Sequence, residues 1–129
     1  MKRAKQREQA FILVFENLFN DESSNEAMEL FSENIEELGD YSKELYVGVR
    51  DNLSEIDEII STYSNGWKLN RISKVNLSVL RLAVYELKYR EDVPQSVAIN
   101  EAVELAKTYA TQADAAFVNG VLGAYVRSL

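Results

Sequence analysis

Apolar residues recur every three or four positions along most of the chain, which is the period of an α-helix. Breaks in this pattern are few, because the 129 residues include five glycines and one proline. No segment alternates apolar and polar residues in the way that a half-buried strand does. The pattern therefore predicts an all-α protein, with helices over residues 4–19, 24–39, 40–63, 76–89, 94–109 and 113–127.

Local signals support several of these helices. Ser23 and Glu26 have the spacing of a capping box before the second helix. Residues 40–63 keep the helical period without a break, which predicts one long helix. Asn76 is a predicted N-cap, and Pro94 suits a first helical turn. The predicted buried stripe of the first helix is Phe11, Val14, Phe15, Leu18 and Phe19.

The residue types that are missing exclude several function classes. Cysteine and histidine are absent, which excludes disulfides, thiol and imidazole nucleophiles, and the usual soft or borderline metal sites. We expect neither a metal nor a cofactor. The longest apolar runs, such as AFILVF at 10–15, are shorter than the ~20 residues of a membrane span, and MKRAKQREQA lacks the apolar stretch of a signal peptide. A cytoplasmic protein is therefore expected.

Charge is distributed unevenly along the chain. Fourteen Lys and Arg stand against twenty-one Asp and Glu, a net charge of −7, yet four of the first seven residues are basic. Cations at a helix N-terminus oppose the helix dipole, so helix stability does not favour them there. An external anion such as an RNA phosphate backbone would benefit from them, whereas the competing interpretation is an ordinary solvated helix start. Lys74, Arg81 and Lys88 form a second basic row with the same two interpretations.

Candidate catalytic chemistry is weak. Glu101 and Glu104 share a helix face, but neighbouring glutamates on a helix are usually solvated. No phosphate-binding glycine loop, GxSxG or HExxH is present. The glycine in VNGV at 118–121 predicts a close helix contact. The sequence thus indicates a protein that is not an enzyme and has no catalytic residue.

Three longer motifs carry a family resemblance. They are LRLAVYEL at 80–87, VPQSVAINEAVELAK at 93–107 and FVNGVL at 117–122, and an RxxA element runs from Arg7 to Ala10. In order and spacing the chain resembles the NusB family. The resemblance implies an all-α fold of about seven helices in two small helical bundles. Residues 1–129 would then form a single domain, with subdomains at 1–64 and 65–129.

The resemblance also implies a function in transcription antitermination. NusB proteins pair with ribosomal protein NusE, and the heterodimer binds the single-stranded boxA element of ribosomal RNA transcripts. This assembly joins NusA, NusG and RNA polymerase, without catalysis or a membrane. Whether the free chain forms a homodimer is left open.

Roles of individual residues follow from the same resemblance. Lys2, Arg3, Lys5 and Arg7 match the arginine-rich RNA-binding motif, and four neutralised phosphates predict a log–log salt slope near −3. The predicted NusE interface consists of Phe15, Tyr85, Glu86 and Arg90, where Glu86 would offer an acceptor to the partner. The signature residues are Asn100, Glu101, Phe117, Asn119 and Gly120. For Asn100 and Asn119 the alternative is a structural role as buried amides that tie helices together.

Three departures from the family pattern affect these expectations. The N-terminal motif has Lys and Gln where many relatives have Arg, which predicts weaker or less specific RNA binding. Phe15 stands where Tyr is frequent, and Gly123 stands where Asp is common. Two other functions remain as alternatives: a NusB-like module that positions a ribosomal RNA methyltransferase, and a helical adaptor that binds only protein.

Overall fold

The computed structural model describes all residues from 1 to 129 and contains only helices as regular elements. A 3₁₀ turn at Leu69–Arg71 precedes the fifth helix. The seven helices are α1 (Arg3–Glu16), α2 (Ser24–Asn34), α3 (Asp40–Asp51), α4 (Leu53–Tyr63), α5 (Lys74–Tyr89), α6 (Gln95–Tyr109) and α7 (Gln112–Arg127). This confirms the predicted all-α class. No helix combines the length and the apolar character that a bilayer span requires.

Helix α5 is the centre of the fold. It packs against α1, α3, α4, α6 and α7, and most of its residues are buried. A helix that is buried around most of its circumference belongs in the interior of a bundle. One continuous cluster of 26 buried residues joins these helices, so α5 contacts helices of both predicted subdomains. The division at residue 64 stays a prediction.

The first helix is shorter than predicted. Phe11 and Val14 are buried and Phe15 and Leu18 are half-buried, but Phe19 is 61% exposed. Helix α1 ends at Glu16, where i to i−3 hydrogen bonds replace the helical pattern. The prediction of Phe19 as a core residue was therefore wrong, because the chain leaves the helix one turn before it.

Two predicted helices have different bounds because polar side chains bond to the backbone. Helix α2 stops at Asn34 instead of residue 39, since Gln9 accepts from the Gly39 N–H at 3.1 Å and donates to the Glu37 carbonyl at 2.9 Å. The segment 40–63 is two helices, because Asn52 turns back and donates to the Gly48 carbonyl at 2.8 Å. Competing side-chain hydrogen bonds of this kind commonly end helices.

The caps were predicted in part. The Ser23 hydroxyl accepts from the Glu26 N–H at 3.2 Å and donates to the Glu26 carboxylate, so the predicted residues meet. Asn76 is not the cap of α5, because its own N–H donates to the Ser73 hydroxyl at 3.2 Å. A full capping box forms between Thr111 and Asp114 at the start of α7, where the sequence pattern had not predicted one.

Two helical glycines have opposite surroundings. Gly48 of α3 lies directly against the Tyr85 ring of α5, and a Cβ at this position would overlap that ring. Gly120 of α7 has open space around it, and a methyl group added there would meet no heavy atom within 4 Å. The predicted close helix contact in VNGV is therefore wrong, and the close contact lies at Gly48.

We expect Gly48→Ala to destabilise the protein by about 1–3 kcal/mol, because the added methyl group must displace the Tyr85 ring. The matched variant Gly120→Ala should instead stabilise it by about 0.5–1 kcal/mol, since alanine has the higher helix propensity and meets no neighbour. Urea unfolding followed by circular dichroism measures both changes. Equal effects of the two substitutions would contradict the close approach of α3 to α5.

The turn between α5 and α6 is held by an ion-pair cluster. Arg90 donates to both carboxylate oxygens of Asp92, at 2.9 and 2.8 Å, and it also bonds Glu44 of α3. These hydrogen bonds from Arg90 lower the pKa of Asp92 to about 2. The ion pair between Arg90 and Asp92 is thus present only while the Asp92 carboxyl group is ionised.

The Asp92 pair makes a specific contribution to acid stability. Because the folded carboxyl has a lower pKa than the unfolded one, about 3.9, the contribution is complete above about pH 4 and is lost as the pH falls towards 2. Asp92→Asn should therefore show a shallower fall of unfolding free energy from pH 4 to pH 2 in urea titrations. Glu91→Gln, at a neighbouring carboxylate without an ion pair, should keep the wild-type slope. A wild-type slope in Asp92→Asn would show that the pair contributes nothing.

Candidate nucleic-acid interface

The cationic tip consists of Lys2, Arg3 and Lys5 at the start of α1. All three are exposed, and Lys2 is the N-cap of the helix with an extended backbone. The helix has no side-chain cap and no acidic residue in its first turn. Local helix electrostatics therefore oppose this arrangement, and the tip depends on contacts with the rest of the fold.

Arg7, the fourth predicted RNA ligand, is not part of this exposed tip. It is only 4% exposed, and its Nε donates to the two carboxylate oxygens of Glu86 at 2.9 and 3.0 Å. The Tyr41 hydroxyl donates to the same carboxylate. Burial opposes the charge of Arg7, but the hydrogen bonds and charge of Glu86 outweigh it and raise the pKa of the guanidinium. Burial and the bond to Glu86 also raise the pKa of Tyr41.

Glu86 was predicted to offer an acceptor to NusE, and the structure gives its carboxylate a different environment. The side chain is 2% exposed, and both oxygens already accept hydrogen bonds from Arg7 and Tyr41. A buried carboxylate needs such partners, because an unpaired buried charge is very costly. Arg7 and Glu86 are therefore both buried, and each is the ion-pair partner of the other.

Arg3 lies on the face of the Tyr41 ring. Its guanidinium carbon is 4.0 Å from the ring centroid, and a nitrogen lies 3.5 Å from the Asp92 carboxylate. Arg90 approaches the same ring at 5.0 Å. The two arginines line an open groove of about 600 Å³ together with Gly39 and Glu44. The Tyr41 ring stabilises both cations through cation–π contacts.

Lys5 also forms ion pairs with carboxylates. Its ammonium lies 3.1 Å from Glu36 and 3.4 Å from Glu8, and its hydrogen bond to Glu36 is the main cause of its raised pKa. Lys2 makes no ion pair. Any phosphate that binds the tip must therefore compete with internal acidic groups for Arg3 and Lys5.

The first turns of α1 are tied to α3 by polar contacts. Gln6 accepts from the Tyr41 N–H at 2.9 Å, and its backbone carbonyl accepts from the Ser42 hydroxyl at 2.9 Å. The single proton of this hydroxyl is shared with the Gln9 side-chain oxygen, which lies 2.7 Å from the Ser42 oxygen. These contacts couple the orientation of the cationic tip to the start of α3.

The predicted partner residues do not form one patch. Phe15 is half-buried and lies between Phe11 and Phe19, with ring centroids 6.1 and 5.2 Å away. Arg90 lies beside Arg3 at the other end of α1, about 18 Å away along the helix axis. Tyr85 is half-buried and stacks on Tyr89 at 5.2 Å. Their role in binding NusE stays a prediction.

The signature residues are more exposed than the buried-amide alternative requires. Asn100 and Asn119 are both exposed and make no side-chain hydrogen bond, so a role as buried helix ties is wrong for each. Glu101 is half-buried and adds to the raised pKa of Arg7. Phe117 is half-buried and meets the Trp67 ring edge-on at 6.3 Å, while Gly120 faces open space. Asn119 and Gly120 thus present a part of the α7 surface that carries no packing role.

The second basic row, Lys74, Arg81 and Lys88, includes one residue that is already in an ion pair. Arg81 donates twice to Asp57 of α4, at 2.9 Å each, so it holds helices together. Lys74 lies 5.8 Å from the centre of the exposed Phe19 ring, and Lys88 is likewise exposed beside Tyr89. The row therefore does not act as one continuous cationic surface.

A polar pair at the starts of α5 and α7 was not predicted. Asn76 is 5% exposed and donates to Asp114 at 2.9 Å, while its carbonyl oxygen has no hydrogen-bond partner. The pair lines a cavity of about 280 Å³ with Trp67 and Phe117. Only the distant pairing of two helix starts creates it, so no local signal in the sequence indicates it.

Comparison with known proteins assigns the family. The transcription antitermination protein NusB of Clostridium botulinum (strain Kyoto / Type A2) is 44% identical over 140 residues, which covers 95% of this chain and 98% of the relative. The structure of T. maritima NusB aligns with a TM-score of 0.85 at 36% identity, over 98% of this chain and 92% of that one. A chain in the crystal structure of antitermination factors NusB and NusE in complex with dsRNA aligns with a TM-score of 0.86 at 28% identity, over the full length of both chains. The family model described as NusB family matches residues 4–127, and the chain belongs to the NusB family.

Proposed function

We propose that this chain is a cytoplasmic antitermination factor that binds the single-stranded boxA RNA of ribosomal RNA transcripts as a heterodimer with NusE. The observation that carries the proposal is the cationic tip of Lys2, Arg3 and Lys5, exposed on a helix start that the rest of the fold holds in place. The related complex of NusB and NusE with dsRNA supports an RNA partner and a NusE partner. The proposal includes no catalytic step.

Phosphate contact accounts for the position of the cations. Lys and Arg that neutralise phosphates release condensed counterions, which gives a binding free energy that does not depend on helix stability. The internal carboxylates at Glu36 and Asp92 hold Lys5 and Arg3 in the absence of RNA. RNA binding by this tip is then an exchange of one anion for another, and salt weakens it.

The partner surface is proposed from a second group of residues. Phe15 and the exposed Phe19 present apolar rings beside Lys74, and exposed aromatic side chains are common anchors in protein interfaces. Phe15 and Phe19 would contact NusE as one patch, and Tyr85 and Arg90, which lie apart from them, would be separate contacts. Assembly with NusA, NusG and RNA polymerase extends the same proposal.

The RNA arm is tested by fluorescence anisotropy with a boxA-like single-stranded RNA and a scrambled RNA of equal length, with and without NusE. With Arg7 buried, three cations remain, so we expect a log–log salt slope near −2 and a roughly twenty-fold loss of affinity from 50 to 200 mM salt. Lys2, Arg3 and Lys5 changed together to Gln should abolish most of this dependence. NusE should strengthen binding to the boxA-like RNA.

A control variant with the same change in net charge distinguishes an effect of the tip from an effect of net charge. Lys68, Lys107 and Arg127 are exposed and lie outside the first turns of α1 and α3, and changing all three to Gln alters the net charge by the same amount. This control should keep nearly wild-type affinity and slope. Equal losses in both triple variants would contradict a site at the tip, and absence of RNA binding with and without NusE would favour the adaptor that binds only protein.

A further inference from the structure

We propose that Arg7, Glu86 and Tyr41 are positioning residues, which hold the start of α1 in its RNA-binding geometry before RNA arrives. In this assignment Arg7 is not an RNA ligand and Glu86 is not a partner contact. The inference rests on the RNA binding proposed above. It adds a specific claim, that part of an arginine-rich motif serves to order the remaining cations.

The three side chains connect three helices at one buried point. Arg7 comes from α1, Tyr41 from α3 and Glu86 from α5, and all three are buried. The single Arg7 Nε–H is shared between both oxygens of the Glu86 carboxylate, and one of these oxygens also accepts from the Tyr41 hydroxyl. Charged hydrogen bonds inside a protein are directional and strong, so they allow little rotation of α1 about its own axis.

The start of α1 needs such an anchor. Its first turn has no capping side chain and no acidic residue, and it carries three exposed cations. An isolated helix start with this composition frays, since local interactions do not stabilise it. The network lies on the second turn, and Gln6 adds its own bonds to α3 there.

Tyr41 links the buried network to an exposed cation. Its hydroxyl bonds Glu86, while the face of its ring supports Arg3 at 4.0 Å. A ring held at its hydroxyl end presents a fixed surface, so the Arg3 guanidinium is oriented before any ligand binds. Preorganised groups lose less conformational freedom on binding, which increases affinity without an additional contact.

A sign test distinguishes positioning from simple electrostatics. Glu86→Gln removes one negative charge, so general electrostatics predicts tighter RNA binding. Positioning predicts weaker binding, because the start of α1 becomes ordered in only a fraction of molecules. If that fraction falls to between a third and a tenth, the apparent Kd rises about three- to tenfold. Glu91→Gln makes the same charge change at an exposed, unpaired carboxylate and should bind as tightly as wild type or slightly more tightly.

The salt slope and NusE binding separate the remaining roles. Positioning leaves the wild-type slope and NusE affinity unchanged in Glu86→Gln. If Arg7 is a phosphate ligand, its release from Glu86 should strengthen binding and steepen the slope by about 0.7, and this outcome overturns the inference. Loss of NusE binding with unchanged RNA affinity overturns it as well, because Glu86 is then a partner contact.

A milder variant covers the case in which Glu86→Gln does not fold. Tyr41→Phe keeps the ring and removes only the hydroxyl bond to Glu86, and it should raise the RNA Kd about two- to threefold with an unchanged slope. Amide hydrogen exchange at residues 6–9, whose N–H groups have helical acceptors, should be slow in the free wild-type protein and faster in Tyr41→Phe, with little change in α7. Unchanged exchange and unchanged RNA affinity in this variant overturn the positioning role. If wild-type protein binds no RNA while residues 6–9 exchange as expected, the proposed function itself fails.

Discussion

The buried ion pair between Arg7 and Glu86 is the interaction on which the arrangement of α1, α3 and α5 depends. Burying a guanidinium and a carboxylate costs several kcal/mol per ion, which only close pairing and complete hydrogen bonding offset. Here the carboxylate accepts from two donors on two helices, the Arg7 Nε–H shared between both oxygens and the Tyr41 hydroxyl. Because removal of Arg7 or Glu86 leaves the other charge buried and uncompensated, α1 has one favourable position against α5. The start of α1, which carries the exposed cations, therefore has a fixed position relative to α3 and α5.

The same constraint gives neighbouring arginines different roles. Arg3 and Arg7 lie one helical turn apart on α1, and both guanidinium groups approach the Tyr41 ring. Arg3 is exposed, whereas Arg7 is buried. One arginine can meet a ligand from solvent, and the other stabilises the surface that carries it. Burial thus divides this motif of basic residues into exposed positions and one internal position.

Acidic side chains surround the exposed cations of the tip. Carboxylates at Glu8, Glu36 and Asp92 lie within ion-pair distance of the tip cations. Exposed ion pairs of this kind add little to stability and exchange easily with other anions. These carboxylates offset the charge of the tip, so an external anion gains the tip cations only by displacing them.

Helix positions, helix type and the family motifs were predictable because each depends on residues close together in the chain. Repeats of three and four residues indicate which face of α5 or α7 is buried, and FVNGVL is read directly from its letters. The ends of α2 and the break at Asn52 were not predictable, since side chains distant in sequence or turned back on the backbone compete for the helical hydrogen bonds. The local sequence pattern carries even less information about the roles of Arg7 and Glu86. They are 79 residues apart, and the burial that turns two expected surface residues into one internal anchor exists only after α1 has packed against α5.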